Sequence, residues 1–294
     1  MIQTKSIQTS YQIDDFTDPF IMNHPISEAQ FQGSFHIHND YYEFYLFLYS
    51  KGVFYNDGAK YPLQPGDFII VPPDKIHRAH TTDNSPYERI ILHLSRKTLI
   101  DISSPITNLH NDIQSCSGRM YHFEDEGLKS YIDLSGELMK TSFADSPAFG
   151  QDLLQRSYLS ILLIQLIRMI RESSNEVFSS PPPMIQDVYA YIDQHLSEDI
   201  SIQSIANAMN ISRSYLCHQF REYFNTSLWN YVLSKRLILA QKLLLSGSSV
   251  TEACYDSGFR DYAHFIKSFT KTFGIPPKKY SMNPAVQKTV TLPC

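Results

Sequence analysis

Between residues 31 and 95 the chain alternates aromatic or β-branched residues with polar ones. Gly33, Gly52, Gly58, Pro62, Pro65, Gly66, Pro72 and Pro73 interrupt the alternation at short intervals. That pattern predicts short strands joined by tight turns. From about Leu128 to Arg171 the period becomes helical, and the run LLQRSYLSILLIQLIRMIR is apolar on more than one face. Such a helix is buried, or it pairs with a partner. ESSNEVFSSPPP, residues 172–183, is polar and ends in prolines that cannot continue a helix, so it predicts a linker. Every segment beyond it has helical period. Ile185, Val188, Tyr189 and Ile192 share one face, as do Ile202, Ile205, Ala206 and Met209, and again Val250, Ala253, Cys254 and Ser257. A longer stripe of Leu233, Leu237, Ala240 and Leu244 lies between the last two.

The predicted layout is therefore α+β. A β-rich unit occupies residues 1–127, a helical segment suited to dimerisation 128–171, a linker 172–183, an all-α unit 184–282 and a tail 283–294.

The all-α unit contains a repeat. Ile202–Met209, a break at Asn210 and then SRSYLCHQFREYFN mirror Val250–Ser257, a break at Gly258 and then DYAHFIKSFTKTFG. The first helices match at an offset of 48 residues and the second at 49, so the second copy has one extra turn residue. At both breaks, and at both C-terminal ends (Asn225 and Gly274), one copy has Asn and the other Gly. These two residue types most readily take the left-handed conformation that turns a chain after a helix. A short helix, a turn of this kind and a second amphipathic helix make a helix-turn-helix, whose second helix can lie in a DNA major groove.

Charge supports that partner only when the chain is divided. The net charge is −5, but residues 1–183 hold 14 basic against 22 acidic side chains, and residues 184–294 hold 11 against 8. The repeat thus sits in the positive part, where phosphate contact is favoured. The polar N-terminus lacks a secretory signal, and the apolar stretch between Arg156 and Arg168 is about half the roughly 20 residues needed to cross a bilayer. A cytoplasmic protein without a membrane partner is expected. The four cysteines are scattered with no C-x-x-C pair, which predicts free thiols.

SGFRDYAHFIKSFTKTFGIPPKKY, residues 257–280, resembles the C-terminal signature of the AraC/XylS family of transcription regulators. Phe265, Lys267, Phe269, Phe273, Gly274, Pro277 and Tyr280 stand at its characteristic positions. Residues 229–245, with Arg236, Leu237, Ala240 and Leu244, resemble the family's connecting helix, and the likeness extends over 184–282. It implies two recognition helices entering successive major grooves on one face of the duplex, about 34 Å apart. Carried over by position, it implies base reading by Ser214, Cys217 and His218 in the first helix and by Ala263, His264 and Lys267 in the second. Arg213, Arg221, Arg260, Tyr262 and Lys271 would contact the backbone. Cys217 and Ala263 offer at most apolar or weak contacts, which leaves a share of specificity to DNA shape.

In the β-rich half, His36 and His38 are two apart and so share one face of a strand, and Glu43 follows. GDFIIVPPDKIH places Gly66, Pro72, Asp74 and His77 at the spacing of a second cupin motif, and residues 20–100 resemble a cupin barrel. The resemblance implies a sensor module. His36, His38, Tyr42, Glu43 and His77 would line a pocket for a small polar effector such as a sugar. His36, His38, Glu43 and His77 could instead ligate iron, manganese or zinc, although Thr81 stands where the enzymatic pattern has Asn. No other cofactor is expected. The main expectation is a non-enzymatic, sequence-specific regulator that binds double-stranded DNA as a homodimer and works with the transcription machinery. A metal-dependent cupin enzyme, or an effector-independent regulator that uses its barrel to dimerise, are the alternatives.

Overall fold

Strands β1 (Phe20–Asn23), β2 (Ile26–Ser27), β3 (His36–His38), β4 (Tyr41–Tyr49), β5 (Gly52–Asn56), β6 (Ala59–Leu63), β7 (Asp67–Val71), β8 (His77–Thr81) and β9 (Tyr87–Ser95) follow one another through the alternating segment. Helices α1 (Arg96–Asp101) and α2 (Leu109–Cys116), strand β10 (Met120–His122), and helices α3 (Asp125–Ser142) and α4 (Gln151–Glu172) come next. After strand β11 (Glu176–Val177) the chain is helical: α5 (Pro183–His195), α6 (Ile202–Ala208), α7 (Arg213–Phe224), α8 (Leu228–Leu245), α9 (Val250–Asp256), α10 (Tyr262–Phe273) and α11 (Pro277–Met282). Strand β12 (Thr289–Thr291) follows. This computed structural model describes residues 20–27, 31–39, 41–142, 148–172, 176–177, 181–282 and 289–293.

Two antiparallel sheets face each other. One runs β1-β9-β4-β7-β10-β11, with β2 also paired to β9, and the other runs β12-β3-β8-β5-β6. Because side chains alternate across a strand, each sheet separates two apolar layers. Tyr45, Phe47, Ile69, Val71 and Met120 of the first sheet meet Phe54, Tyr61 and Ala79 of the second inside the barrel. On the first sheet's outer face, Tyr42, Phe44, Leu46, Phe68 and Ile70 pack against Leu99, Ile113, Tyr131, Leu159, Leu163 and Leu166 of helices α1–α4. On the second sheet's outer face, Ile37, Val53, Tyr55 and Val290 join the core of the helical unit, with Val188, Phe220, Phe224, Tyr231 and Phe269. The barrel is therefore sandwiched between helices on one side and the helix-turn-helix repeat on the other.

Polar contacts pin this second junction. Arg78 of β8 is buried; its guanidinium donates to the Phe224 carbonyl at 2.7 Å and lies 4.3 Å from the Phe35 ring and 4.8 Å from the Tyr55 ring. Phe224 ends α7, so a cation sits at the negative end of that helix and satisfies a carbonyl the helix leaves free. The β5–β6 hairpin turns at Asp57 (φ 42°) and Gly58 (φ 97°), the two positive angles of a tight two-residue hairpin. A Cβ on Gly58 would lie 2.8 Å from the Tyr189 ring, so the turn sits flush on α5. Asp57 accepts from Tyr189 at 3.2 Å and pairs with Lys75 and with Lys235 at 3.6 Å. Burial would raise the Asp57 pKa, but Lys235 and Lys75 together hold it below the ordinary value. Lys235 also reaches Asp193 at 2.9 Å, and Lys242 reaches Asp74 at 3.2 Å, across a cleft of about 220 Å³.

Three sequence expectations change. Helix α4 is 22 residues long, so taken whole, and not by the apolar stretch between Arg156 and Arg168 alone, it could by length and composition cross a membrane. Its Leu159, Leu162, Leu163, Leu166, Ile167 and Ile170 are instead buried against the barrel. The stretch expected as a linker contributes β11, which pairs with β10; residues 173–175 and 178–180 lie outside the described residues. The expected tail contributes β12, because Val290 and Leu292 are apolar at alternate positions and bury fully between β3 and α10. Residues 283–288 and 294 lie outside the described residues. Cys116, Cys217 and Cys254 are free thiols, and Cys294 is not described.

Replacing Arg78 by Ala strands the Phe224 carbonyl in an apolar interface. A loss of about 1–3 kcal/mol in unfolding free energy is expected from urea titration; a value within error of wild type would remove the contact from the junction.

Candidate functional site

The repeat folds as read. Ser201 and Ser249 open α6 and α9 in capping boxes closed by Ser204 and Glu252, and Ser212 and Asp261 cap α7 and α10. The four turn residues are all left-handed: Asn210 at φ 55°, Gly258 at 91°, Asn225 at 50° and Gly274 at 75°. Asn serves at 210, but 258 must be Gly, because any Cβ there would collide with the Leu196 carbonyl oxygen. The exposure of α7 from Arg213 to Phe220 repeats residue by residue in α10 from Tyr262 to Phe269. In both helices the first three residues and the sixth are exposed, the fourth and eighth buried, and the fifth half-buried.

Ser214, His218, Ala263, His264 and Lys267 accordingly stand on the exposed faces of the two helices. Cys217 is half-buried, level with Ile266. Arg213, Arg221, Arg260, Tyr262 and Lys271 are exposed around them. The sequence reading passed over Tyr215, which is 51 % exposed and occupies the level of His264. His218 lies 3.7 Å from Glu222, an exposed pair of little energetic weight that leaves the imidazole accessible. Arg78 grips the far end of α7, so the sensor docks on this helix without covering its N-terminal turns, which are the part a recognition helix presents to base edges.

The second site lies inside the barrel. His36 of β3 is the direct cross-strand partner of His77 of β8 in one sheet, and Glu43 of β4 is the partner of His93 of β9 in the other. The two pairs face each other. Donor atoms of His36, His38, Glu43 and His77 all lie within 4.8 Å of one another. Glu43 Oε2 is 2.8 Å from His38 Nε2 and 3.0 Å from His93 Nε2, and Glu43 Oε1 is 3.6 Å from His77 Nε2. His36 Nδ1 is held by the Ser34 carbonyl at 2.9 Å and His77 Nδ1 by the Lys75 carbonyl at 2.8 Å. Both rings are thereby turned with Nε2 free to face the cluster, and His77 Nε2 is buried without a hydrogen-bond partner. Second-sphere carbonyls of this kind fix the tautomer of metal-binding histidines.

The electrostatics suit a cation. Burial and then the repulsion of His77 push the His36 pKa down to about 4, and burial and His93 hold His38 well below the usual histidine value. Burial alone would raise Glu43, but His77, His38 and His93 outweigh it and keep the carboxyl well below its ordinary range. Neutral His36 and His38 beside an ionised Glu43 are in the state a divalent ion requires of its ligands.

Tyr42 is a correction. It is adjacent to Glu43 in β4, so it points to the opposite face, where its hydroxyl lies 3.4 Å from His110 Nε2 among the outer helices. It does not line the barrel interior. His93 is the residue the sequence reading missed. Its parity with Tyr87 and Ile91 along β9 was visible, but its register opposite Glu43 was not.

Comparison with known proteins finds both domain types. Residues 205–283 match a helix-turn-helix domain family and residues 26–92 a cupin domain family. The chain is 25 % identical over 255 residues to the HTH-type transcriptional activator RhaS of Escherichia fergusonii, covering 84 % of this chain and 88 % of that protein. It is 23 % identical over 241 residues to the XylDLEGF operon transcriptional activator 1 of Pseudomonas putida, covering 80 % of this chain and 73 % of the relative.

The chain is an AraC/XylS-type regulator with an N-terminal cupin domain.

Among solved structures, ToxT from Vibrio cholerae matches with a TM-score of 0.39 and 11 % identity, over 90 % of this chain and 98 % of that one. The relatives of this AraC/XylS-type protein are transcription regulators, not enzymes, so the metallocupin-enzyme alternative is set aside. Its helix-turn-helix domain makes DNA the partner. Replacing Lys267 by Ala, on the exposed face of α10, should weaken operator binding in a mobility-shift assay at fixed salt by about 1–3 kcal/mol. Unchanged affinity would take Lys267 out of the interface.

Proposed function

We propose that this regulator binds its operator as a dimer, activates transcription, and takes as its input a divalent transition-metal ion held inside the cupin barrel. One observation carries the metal reading: the donor atoms of His36, His38, Glu43 and His77 converge within 4.8 Å. Separations of 2.8 to 3.6 Å between Glu43 and its histidines suit an ion bound at about 2.0–2.2 Å. Imidazole-rich ligation favours zinc, iron, cobalt or nickel over magnesium or calcium. His36, His38, Glu43 and His77 would hold the ion, whose charge offsets the buried carboxylate.

The strands offer a route for the signal. His77 faces the site while its neighbour Arg78 holds α7, and β3 carries His36 and His38 while pairing with β12, which packs on α10. An ion that draws β3 and β8 together would thereby set the relation between the two recognition helices. Activation is supported by the relatives named as activators. Dimerisation is supported by α4, whose Leu154, Ile161 and Ile164 remain exposed at a spacing of seven and then three residues, the seam of a two-helix contact.

Protein purified without chelator should carry a stoichiometric divalent metal in elemental analysis, and Glu43→Gln and His77→Ala should lose it. A wild-type protein that takes up no zinc, iron, cobalt or nickel would contradict the reading. In sedimentation velocity the wild type should run as a dimer and Ile161→Asp as a monomer; a monomeric wild type would refute the α4 seam.

A further inference from the structure

We propose that His93 is a fifth ligand of the barrel site, so that the ion is held by four imidazoles and one carboxylate. The proposal rests on the metal reading above and adds a residue from a different strand. His36, His38, Glu43 and His77 come from β3, β4 and β8, whereas His93 comes from β9, where it is the direct cross-strand partner of Glu43 and shares its face.

His93 Nε2 lies 3.0 Å from Glu43 Oε2 and 3.3 Å from His38 Nε2, and those two atoms are 2.8 Å apart. Donor atoms at right angles around an ion with bonds of about 2.1 Å are separated by about 3 Å. The three atoms therefore already form one triangular face of a coordination polyhedron. Hydrogen bonding explains the triangle less well. A neutral imidazole has a single N–H. Glu43 Oε2 has lone pairs for two donors, but if both Nε2 atoms carry hydrogen the 3.3 Å contact between them holds no hydrogen bond of its own. A cation accepts both nitrogen lone pairs and the carboxylate at once. The His93 ring is also well placed to serve, with its side chain 14 % exposed and its Nε2 turned inward, not toward solvent.

The consequence concerns the site's purpose. Catalytic metal sites keep a coordination position open for water or substrate, whereas structural sites are closed. Five protein ligands leave at most one position on a six-coordinate ion. His93 thus turns a ligand set that could serve an enzyme into one that retains its ion.

The test uses the full chain loaded with cobalt(II), read by X-ray absorption and by the optical spectrum. Wild-type protein should show four imidazole ligands. His93→Ala and His93→Gln should show three, with an altered cobalt spectrum and cobalt affinity weakened by about tenfold or more. The Gln variant keeps a polar group at this half-buried position, and the wild-type imidazole count decides the matter even if neither variant folds. Three imidazoles in the wild type, or variants whose cobalt spectrum is unchanged, would overturn the proposal and leave His93 as a hydrogen-bond partner of Glu43. A folded wild type that binds no cobalt would overturn the metal reading itself, and this proposal with it.

Discussion

A β-strand turns successive side chains to opposite faces, and in the sheet β12-β3-β8-β5-β6 that rule ties the sensor to the DNA-reading unit. His77 faces the barrel interior and Arg78, one residue on, reaches the last carbonyl of α7. Ile37 faces the helical core, while His36 and His38 on either side of it face the donor cluster. No flexible segment has to carry a signal between the two sites. They are two faces of the same strands, so a shift of β3 relative to β8 moves residues on both sides together. Packed interiors of this density transmit such shifts instead of absorbing them.

The junction combines two kinds of contact. Ile37, Val53, Tyr55 and Val290 supply apolar burial, which is strong but has little directional preference. Arg78, Asp57 and Lys235 supply directional contacts that fix which part of the helical unit is held. Their placement is selective. Arg78 takes the C-terminal end of α7 and β12 packs against α10, so each recognition helix is attached to a different strand of the same sheet. The N-terminal turns, with Ser214, His218, Ala263, His264 and Lys267, stay exposed. A sensor docked in this way can set the spacing and angle of the two helices without covering the surfaces that meet DNA.

Much of the helical unit was legible in the sequence because its determinants are local. The exchange of Asn and Gly at positions 210/258 and 225/274 marks left-handed turns wherever it occurs, and all four angles are positive. The caps at Ser212 and Asp261 and the buried Phe220 and Phe269 follow from the same short-range periodicity. In the barrel, local parity was informative but applied incompletely. The rule that puts His36 and His38 on one face also puts Tyr42 and Glu43 on opposite faces, and Tyr42 packs outward accordingly. What a single sequence lacks is register between distant strands. The pairing of Glu43 with His93 and of Val290 with Ile37 brings together residues far apart in the chain, and composition gives no sign of it. The apolar alternation of Val290 and Leu292 was the available trace of β12, and it is too short to separate from a tail.

In the proposed regulator, barrel and repeat act as one thermodynamic system. Linkage makes it measurable, because a ligand that changes operator affinity must have its own affinity changed by operator to the same factor. Cobalt affinity measured on the free regulator and on the regulator saturated with operator DNA tests this directly. Different affinities are expected in the two states, with a ratio equal to the change in operator affinity that cobalt causes. Equal cobalt affinities with and without DNA would contradict it.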